Sequence, residues 1–94
     1  MEIILTEQFK SELKIILDFY AEKSEQAASN FLENLFEKID NTTFMTYRFR
    51  KNIHFQKDNI RDLVFKGYVI PFAIENDTIK ILSIYGHNLP KFSE

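Results

Sequence analysis

Apolar residues recur at helical spacing along the first forty positions. Phe9, Leu13, Ile16, Leu17 and Tyr20 follow one another at intervals of four, three, one and three. That spacing predicts one stripe of an amphipathic helix over roughly residues 7–22. Thr6 stands before it as an N-cap, and Glu7 sits in the first turn, where the helix dipole favours an acid. Ser24 and Glu25 repeat the same start signal. Ala27, Ala28, Phe31, Leu32, Leu35, Phe36 and Ile39 then form a second stripe that runs to about Asp40. A break of about two residues between the helices forces an antiparallel hairpin. Ala27 and Ala28 beside the turn let the two backbones approach closely, and Asn41-Thr42-Thr43 ends the pair.

Elsewhere the period changes to two. Ile3-Ile4-Leu5 predicts a short first strand. Leu63, Val64 and Phe65 belong to a strand over about 60–65, followed by the tight-turn pair Lys66-Gly67. Tyr68, Ile70 and Phe72 alternate with Val69, Pro71 and Ala73, so the next strand is apolar on both faces. Glu75-Asn76-Asp77 marks another turn, after which Ile79, Ile81, Ser83 and Tyr85 alternate with Lys80, Leu82 and Ile84. Turns this short cannot cross over, so the three strands form an antiparallel meander. Pro71 has no N–H to give a ladder and belongs at a bulge or on an unpartnered side. Residues 44–59 show no clean period and read as loop. The order is β-α-α-β-β-β: an α+β fold with a helical hairpin packed on a small, mainly antiparallel sheet, as one domain over residues 1–94.

Composition narrows the class. Ten Phe and four Tyr against two Gly and two Pro exclude a disordered or low-complexity chain. There is no Cys, which removes disulfides, thiolate metal sites and cysteine nucleophiles. No apolar run approaches the roughly 20 residues of a membrane span, and the N-terminus lacks the pattern of a signal peptide. The expectation is a soluble, cytoplasmic protein.

Charge is unevenly placed. The net charge is −2, yet residues 1–47 carry four Lys against nine acids, while residues 48–66 carry six cations against Asp58 and Asp62. That middle segment, with Arg48, Arg50, Lys51, Lys57, Arg61 and Lys66, is basic and interleaved with Tyr47, Phe49, Phe55 and Phe65. Exposed charge pairs contribute only ~0–1 kcal/mol each, so the concentration argues for an acidic partner surface or nucleic acid rather than for the fold. A solvated loop is the bland alternative.

Most catalytic signatures are missing. Two glycines cannot make a phosphate loop. His54 and His87 lie 33 residues apart with no metal-ligand spacing, so neither a metal nor another cofactor is expected. The pair Glu33/Glu37 fits a solvated helix face. What remains is a cluster near strand ends: Arg61, Lys66, Tyr68, Tyr85, His87 and Lys91. Such cations could bind an RNA phosphate, with Tyr or His as general acid or base. Equally, Tyr68 and Tyr85 fit core aromatics with a hydroxyl at the rim, Arg61 an ion pair, and His87 a strand cap.

The stretch from Arg61-Asp62-Leu63 through Tyr68-Val69-Ile70-Pro71-Phe72 resembles the strand pair of RelE/ParE toxins. Residues 77–87, ending in Tyr85-Gly86-His87, resemble their last strand. The pattern from Ser24 to Ile39, with Ala27, Ala28 and Phe31, is similar to the second helix of the ParE, or plasmid-stabilisation, branch. The resemblance covers nearly the whole chain and implies the toxin of a type II toxin–antitoxin module. In that family a flexible segment of a small antitoxin wraps the toxin, giving a hetero-oligomer. The RelE branch cleaves mRNA on the ribosome, and characterised ParE members poison DNA gyrase.

Three departures from the RelE pattern favour the ParE branch. Val69 stands where that branch often has Arg, and Gly86-His87-Asn88-Leu89-Pro90-Lys91 replaces a basic cluster. The sequence pI of about 5.7 is also low for a protein that must grip RNA. The leading expectation is a gyrase-inhibiting toxin neutralised by a cognate antitoxin, binding its target through Arg48, Arg50, Lys51, Lys91 and Phe92. The alternatives are a ribosome-dependent endoribonuclease using Arg61, Lys66, Tyr85 and His87, and a non-toxic relative kept for antitoxin binding.

Overall fold

The computed structural model describes residues 1–55 and 57–86. The chain order is β1 (Glu2–Leu5), α1 (Glu7–Lys23), α2 (Glu25–Asp40), two short 3₁₀ turns (Asn41–Thr43 and Thr46–Arg48), β2 (Arg50–Lys51), β3 (Ile60–Phe65), β4 (Tyr68–Glu75), β5 (Thr78–Ile81) and β6 (Tyr85–Gly86). One sheet holds the strands in the order β1-β5-β4-β3-β2, with β6 continuing alongside β4. β1 runs parallel to β5, and every other pairing is antiparallel. The α+β class and the helical hairpin on a mainly antiparallel sheet are as the sequence predicts.

The caps act as their residue types require. Thr6 Oγ1 accepts from Phe9 N at 3.2 Å and donates to Ile81 O at 2.7 Å, so one hydroxyl starts α1 and ties it to β5. Ser24 is the whole connection between the helices. Its N–H closes α1 on Tyr20 O at 3.1 Å, and its Oγ accepts from Ala27 N at 2.9 Å to open α2. A one-residue link with extended backbone, φ −171° and ψ 150°, leaves the helices no choice but to pack antiparallel.

Phe9 and Leu13 of α1, and Phe31, Leu35 and Ile39 of α2, are buried against Leu63, Phe65, Ile70, Phe72, Ile74, Ile79 and Ile81 of the sheet. Ile16, Leu17, Tyr20, Leu32 and Phe36 pack around that centre, half-buried. Phe31 lies between three rings: Tyr20 stacked at 4.7 Å, Phe65 at 5.4 Å and Tyr68 edge-on at 5.7 Å between centroids. Each such contact contributes ~0.5–1.5 kcal/mol beyond the area it buries.

The β3–β4 hairpin turns on Lys66 at φ 50° and Gly67 at φ 83°, the doubly positive pair that matches the twist of the flanking strands. The last strand differs from the single run predicted over residues 79–85. It divides into β5 and β6, with Leu82–Ile84 between them outside the ladder. Pro71 explains the division. Its carbonyl faces this side and accepts from Leu82 N at 2.9 Å, so its ring nitrogen, pointing the same way, has no hydrogen to offer the strand beyond. Of the two placements expected for Pro71, a bulge or an unpartnered side, the structure shows the bulge.

Residues 44–59 also differ from the loop expected there, since they contain a 3₁₀ turn and the edge strand β2, which pairs Arg50 with Asp62 and Lys51 with Arg61.

Candidate functional site

Arg61 organises the basic segment from inside. Only 9% of the residue is exposed. Nη1 donates to Tyr47 O at 3.0 Å and Phe49 O at 2.9 Å, Nε donates to Asp58 O at 2.8 Å, and Nη2 pairs with Asp58 Oδ1 at 3.0 Å. The guanidinium also lies over the Tyr47 ring, 4.8 Å from its centroid. A planar group with donors fanned in one plane can bind several carbonyls at once, which lysine cannot. One side chain thus fastens residues 47–49 to the turn at 58.

On the opposite face of the sheet Asp62, 4% exposed, performs a similar task with the reverse polarity. Its Oδ1 accepts from Asn52 Nδ2 at 2.7 Å, and its Oδ2 pairs with Arg50 Nε at 3.3 Å. Asn52 Oδ1 in turn accepts from His54 N at 2.8 Å and Phe55 N at 3.1 Å, which shapes the turn. Lys51 Nζ lies 3.8 Å from Asp58 Oδ1. Much of the positive charge is thus matched locally, and it orders the loop that the sequence left unassigned.

The remainder faces outward. Arg48 is exposed, lies over Phe49 at 4.1 Å, and donates to Phe44 O at 3.2 Å and Asn41 O at 3.4 Å. Among the described residues, Arg48, Lys57 and Lys66 have no acidic partner within ion-pair distance. In the same segment as Arg48 and Lys57, Phe44, Met45, Tyr47, Ile53 and Phe55 expose large apolar side chains. The result is a cationic, aromatic surface wrapped around the β2 edge, rich in the residue types that anchor protein interfaces. Met45 carries a left-handed backbone, φ 49° and ψ 58°, and turns Phe44 and itself outward.

Of the residues of the endoribonuclease alternative that the structure describes, Arg61 and Lys66 are not gathered. Arg61 points to the helix side with each nitrogen bonded to the chain's own atoms. Lys66 occupies the β3–β4 turn, five positions and roughly 16 Å along the strand. Tyr85 sits on β6 opposite Val69. His87 lies outside the described residues, as do Lys91 and Phe92. No group of three His, Asp or Glu side chains that could hold a metal occurs among the described residues, and no described helix is long and apolar enough to cross a membrane.

A second feature had no sequence signal. Where β5 leaves the ladder, Glu12 of α1 reaches across, and its Oε1 accepts from the Ser83 hydroxyl at 2.6 Å and from Ile84 N at 3.1 Å. A groove of about 440 Å³ opens there, with Glu12, Ser83, Asn52, His54, Phe55 and Tyr85 among its walls. Glu12 looks like any solvated helix acid, and nothing local marks it.

One strand, two helices joined by a single residue, and then an antiparallel run of strands that ends in a bulge define the class, and comparison with known proteins agrees. Residues 3–88 match the family described as ParE toxin of type II toxin-antitoxin system, parDE. The chain belongs to the ParE toxin family. A solved structure described as a chromosomal ParDE TA system from P. aeruginosa superposes with a TM-score of 0.77 at 18% identity, covering 94% of this chain and 97% of that one. At that identity it is the fold that is shared. A search of curated proteins returns no match.

Proposed function

We propose that this chain, a type II toxin by family, acts in the cytoplasm by binding and inhibiting DNA gyrase, and that a cognate antitoxin neutralises it in a hetero-oligomer. The observation that carries the reading is the match to the ParE family over residues 3–88. The surface around β2 supports a mechanism by binding. Arg48, Arg50 and Lys51 carry positive charge at an edge flanked by exposed aromatics, and a surface of that kind gains orientation and encounter rate from a partner of negative potential. The reading also assigns Lys91 and Phe92, which lie outside the described residues, to partner binding. The burial of Arg61 and its separation from Lys66 favour binding over hydrolysis of RNA.

The test is to induce the chain without its partner and to add the purified protein to gyrase. Filamentation with DNA damage, and loss of supercoiling in vitro, is the expected result. Rapid translation arrest with cut mRNA would move the chain to the endoribonuclease reading, and normal growth to a non-toxic antitoxin-binding role.

A further inference from the structure

The strand break leaves a half-buried carboxylate whose charge no described residue matches. Glu12 Oε1 accepts from two neutral donors, the Ser83 hydroxyl and Ile84 N. Oε2 has Gln8 Nε2 at 3.4 Å, again neutral. Among the described residues no Lys or Arg lies within ion-pair distance of it. By the described residues the carboxylate is held in place but not neutralised. Its setting is a groove with the rings of Phe55 and Tyr85 and the apolar surfaces of Pro71 and Leu82 in its walls.

That combination selects a ligand. An anion fixed by two hydrogen bonds beside aromatic walls fits a planar cation, which pairs with the carboxylate edge-on and stacks on rings by its faces. The groove also continues. Gln8, Glu12, Ile15 and Phe19 follow one another at helical i, i+4, i+7 and i+11 spacing and so lie on one stripe of α1. Ile15 is 71% and Phe19 49% exposed, so apolar surface runs on from the acid along the helix.

We propose that this groove receives an arginine side chain from an extended segment of the protein partner, with Glu12 as its counter-ion and the Ile15–Phe19 stripe taking the apolar residues beside it. The inference rests on the reading of the chain as a toxin held by a partner protein, and it names the chemistry of one contact. It also gives the two charged regions of the molecule different tasks. The cationic edge at β2 suits an acidic surface, and the acidic groove suits a basic side chain. The two partners thus need not compete for the same residues.

The probe is N-acetyl-arginine amide, titrated into the isotope-labelled chain and followed by backbone amide shifts. Saturable shifts at Ser83, Ile84 and Tyr85 in the millimolar range are expected, as befits a single side chain. N-acetyl-citrulline amide, the neutral isostere, should leave those amides unmoved. Glu12→Gln keeps an acceptor for Ser83 and Ile84 and removes only the charge, so it should retain the spectrum of the fold and weaken arginine binding by about tenfold or more. Ser83→Ala keeps the charge and should still bind. Equal shifts from citrulline, undiminished binding by the Glu12→Gln chain, or no shift from arginine would each overturn the proposal and leave Glu12 as a cap for the strand break alone. The two readings fail separately. A chain that is harmless in cells yet binds arginine loses the toxin reading, and a toxic chain that ignores arginine loses only the groove.

Discussion

Glu12 and Ser83 are joined by a 2.6 Å hydrogen bond across 71 positions of sequence, and the same carboxylate oxygen takes the free N–H of Ile84. A helix side chain thus completes the hydrogen bonding of a strand where Pro71 prevents the ladder from doing so. Glu12→Ala leaves two buried donors without an acceptor and should cost about 1–3 kcal/mol in urea denaturation. Glu12→Gln should cost less than about 1 kcal/mol. Equal losses for the two variants would mean that the charge, rather than the acceptor, holds the break together.

Arg61 should behave as a structural residue. Arg61→Ala removes bonds to Tyr47, Phe49 and Asp58 together and is expected to destabilise the chain by about 2–4 kcal/mol. Arg61→Lys should recover only a minor part, since an ammonium cannot span three carbonyls. Any loss of toxicity should follow the loss of folded protein seen by circular dichroism. A stable, fully folded Arg61→Ala chain without toxicity would instead give the guanidinium a direct role.

The cationic edge calls for a selective test. Arg50 pairs with buried Asp62, so reversing its charge would set two carboxylates together and unfold the loop as well as alter the surface. Reversing Arg48 and Lys57 to Glu and replacing Lys51 by Gln avoids that contact, and it also avoids setting a carboxylate beside Asp58, which lies 3.8 Å from Lys51 Nζ. The triple variant should keep its circular dichroism spectrum and lose toxicity, with single substitutions weakening it by steps. Truncation after Pro90 should also weaken it. Undiminished growth inhibition by the triple variant would make the segment a solvated loop.

Tyr68 supplies a pH signature. Burial first, then the neighbouring Tyr20 hydroxyl, raises its pKa above the ordinary 10.0. The folded chain therefore holds this proton more tightly than the unfolded chain does. The associated stability is complete below the unfolded value and is lost as pH rises through the folded one. In a tyrosinate absorbance titration the Tyr68→Phe chain should lose a component that titrates above the ordinary tyrosine value. A high-pH limb unchanged by that substitution would contradict this.

Met45 is an unforced expense. Its left-handed φ of 49° costs a residue with a Cβ roughly 1–2 kcal/mol, a cost glycine escapes. Met45→Gly should therefore raise the thermal midpoint or leave it unchanged. A marked fall would show that the Met45 side chain, though exposed, is held by contacts that the backbone serves.

The fold was legible wherever its causes are local. The stripes through Phe9 and Phe31, the caps at Thr6 and Ser24, the Lys66-Gly67 turn and the bulge demanded by Pro71 all follow from residues within a few positions of one another. Residues 44–59 were opaque because their order comes from Arg61 and Asp62, whose bonds reach 10 to 14 positions away. No periodicity records a side chain that binds distant carbonyls. The density of cations there was visible, but Arg61 and Arg50 hold the loop itself, so density alone did not tell structural cations from free ones. The groove was invisible for the same reason, since Glu12 and Ser83 meet only after the whole sheet has formed.

That β1 lies parallel to β5, Glu2 beside Thr78 and Leu5 beside Ile81, bears on the order of synthesis. The first strand to leave the ribosome has no neighbour until nearly the last one follows it, and α1 and α2 carry an uncovered apolar face throughout that interval. Any truncation that removes β5 therefore leaves β1 without the strand it pairs with, and it should abolish folding and, with it, any activity of the chain.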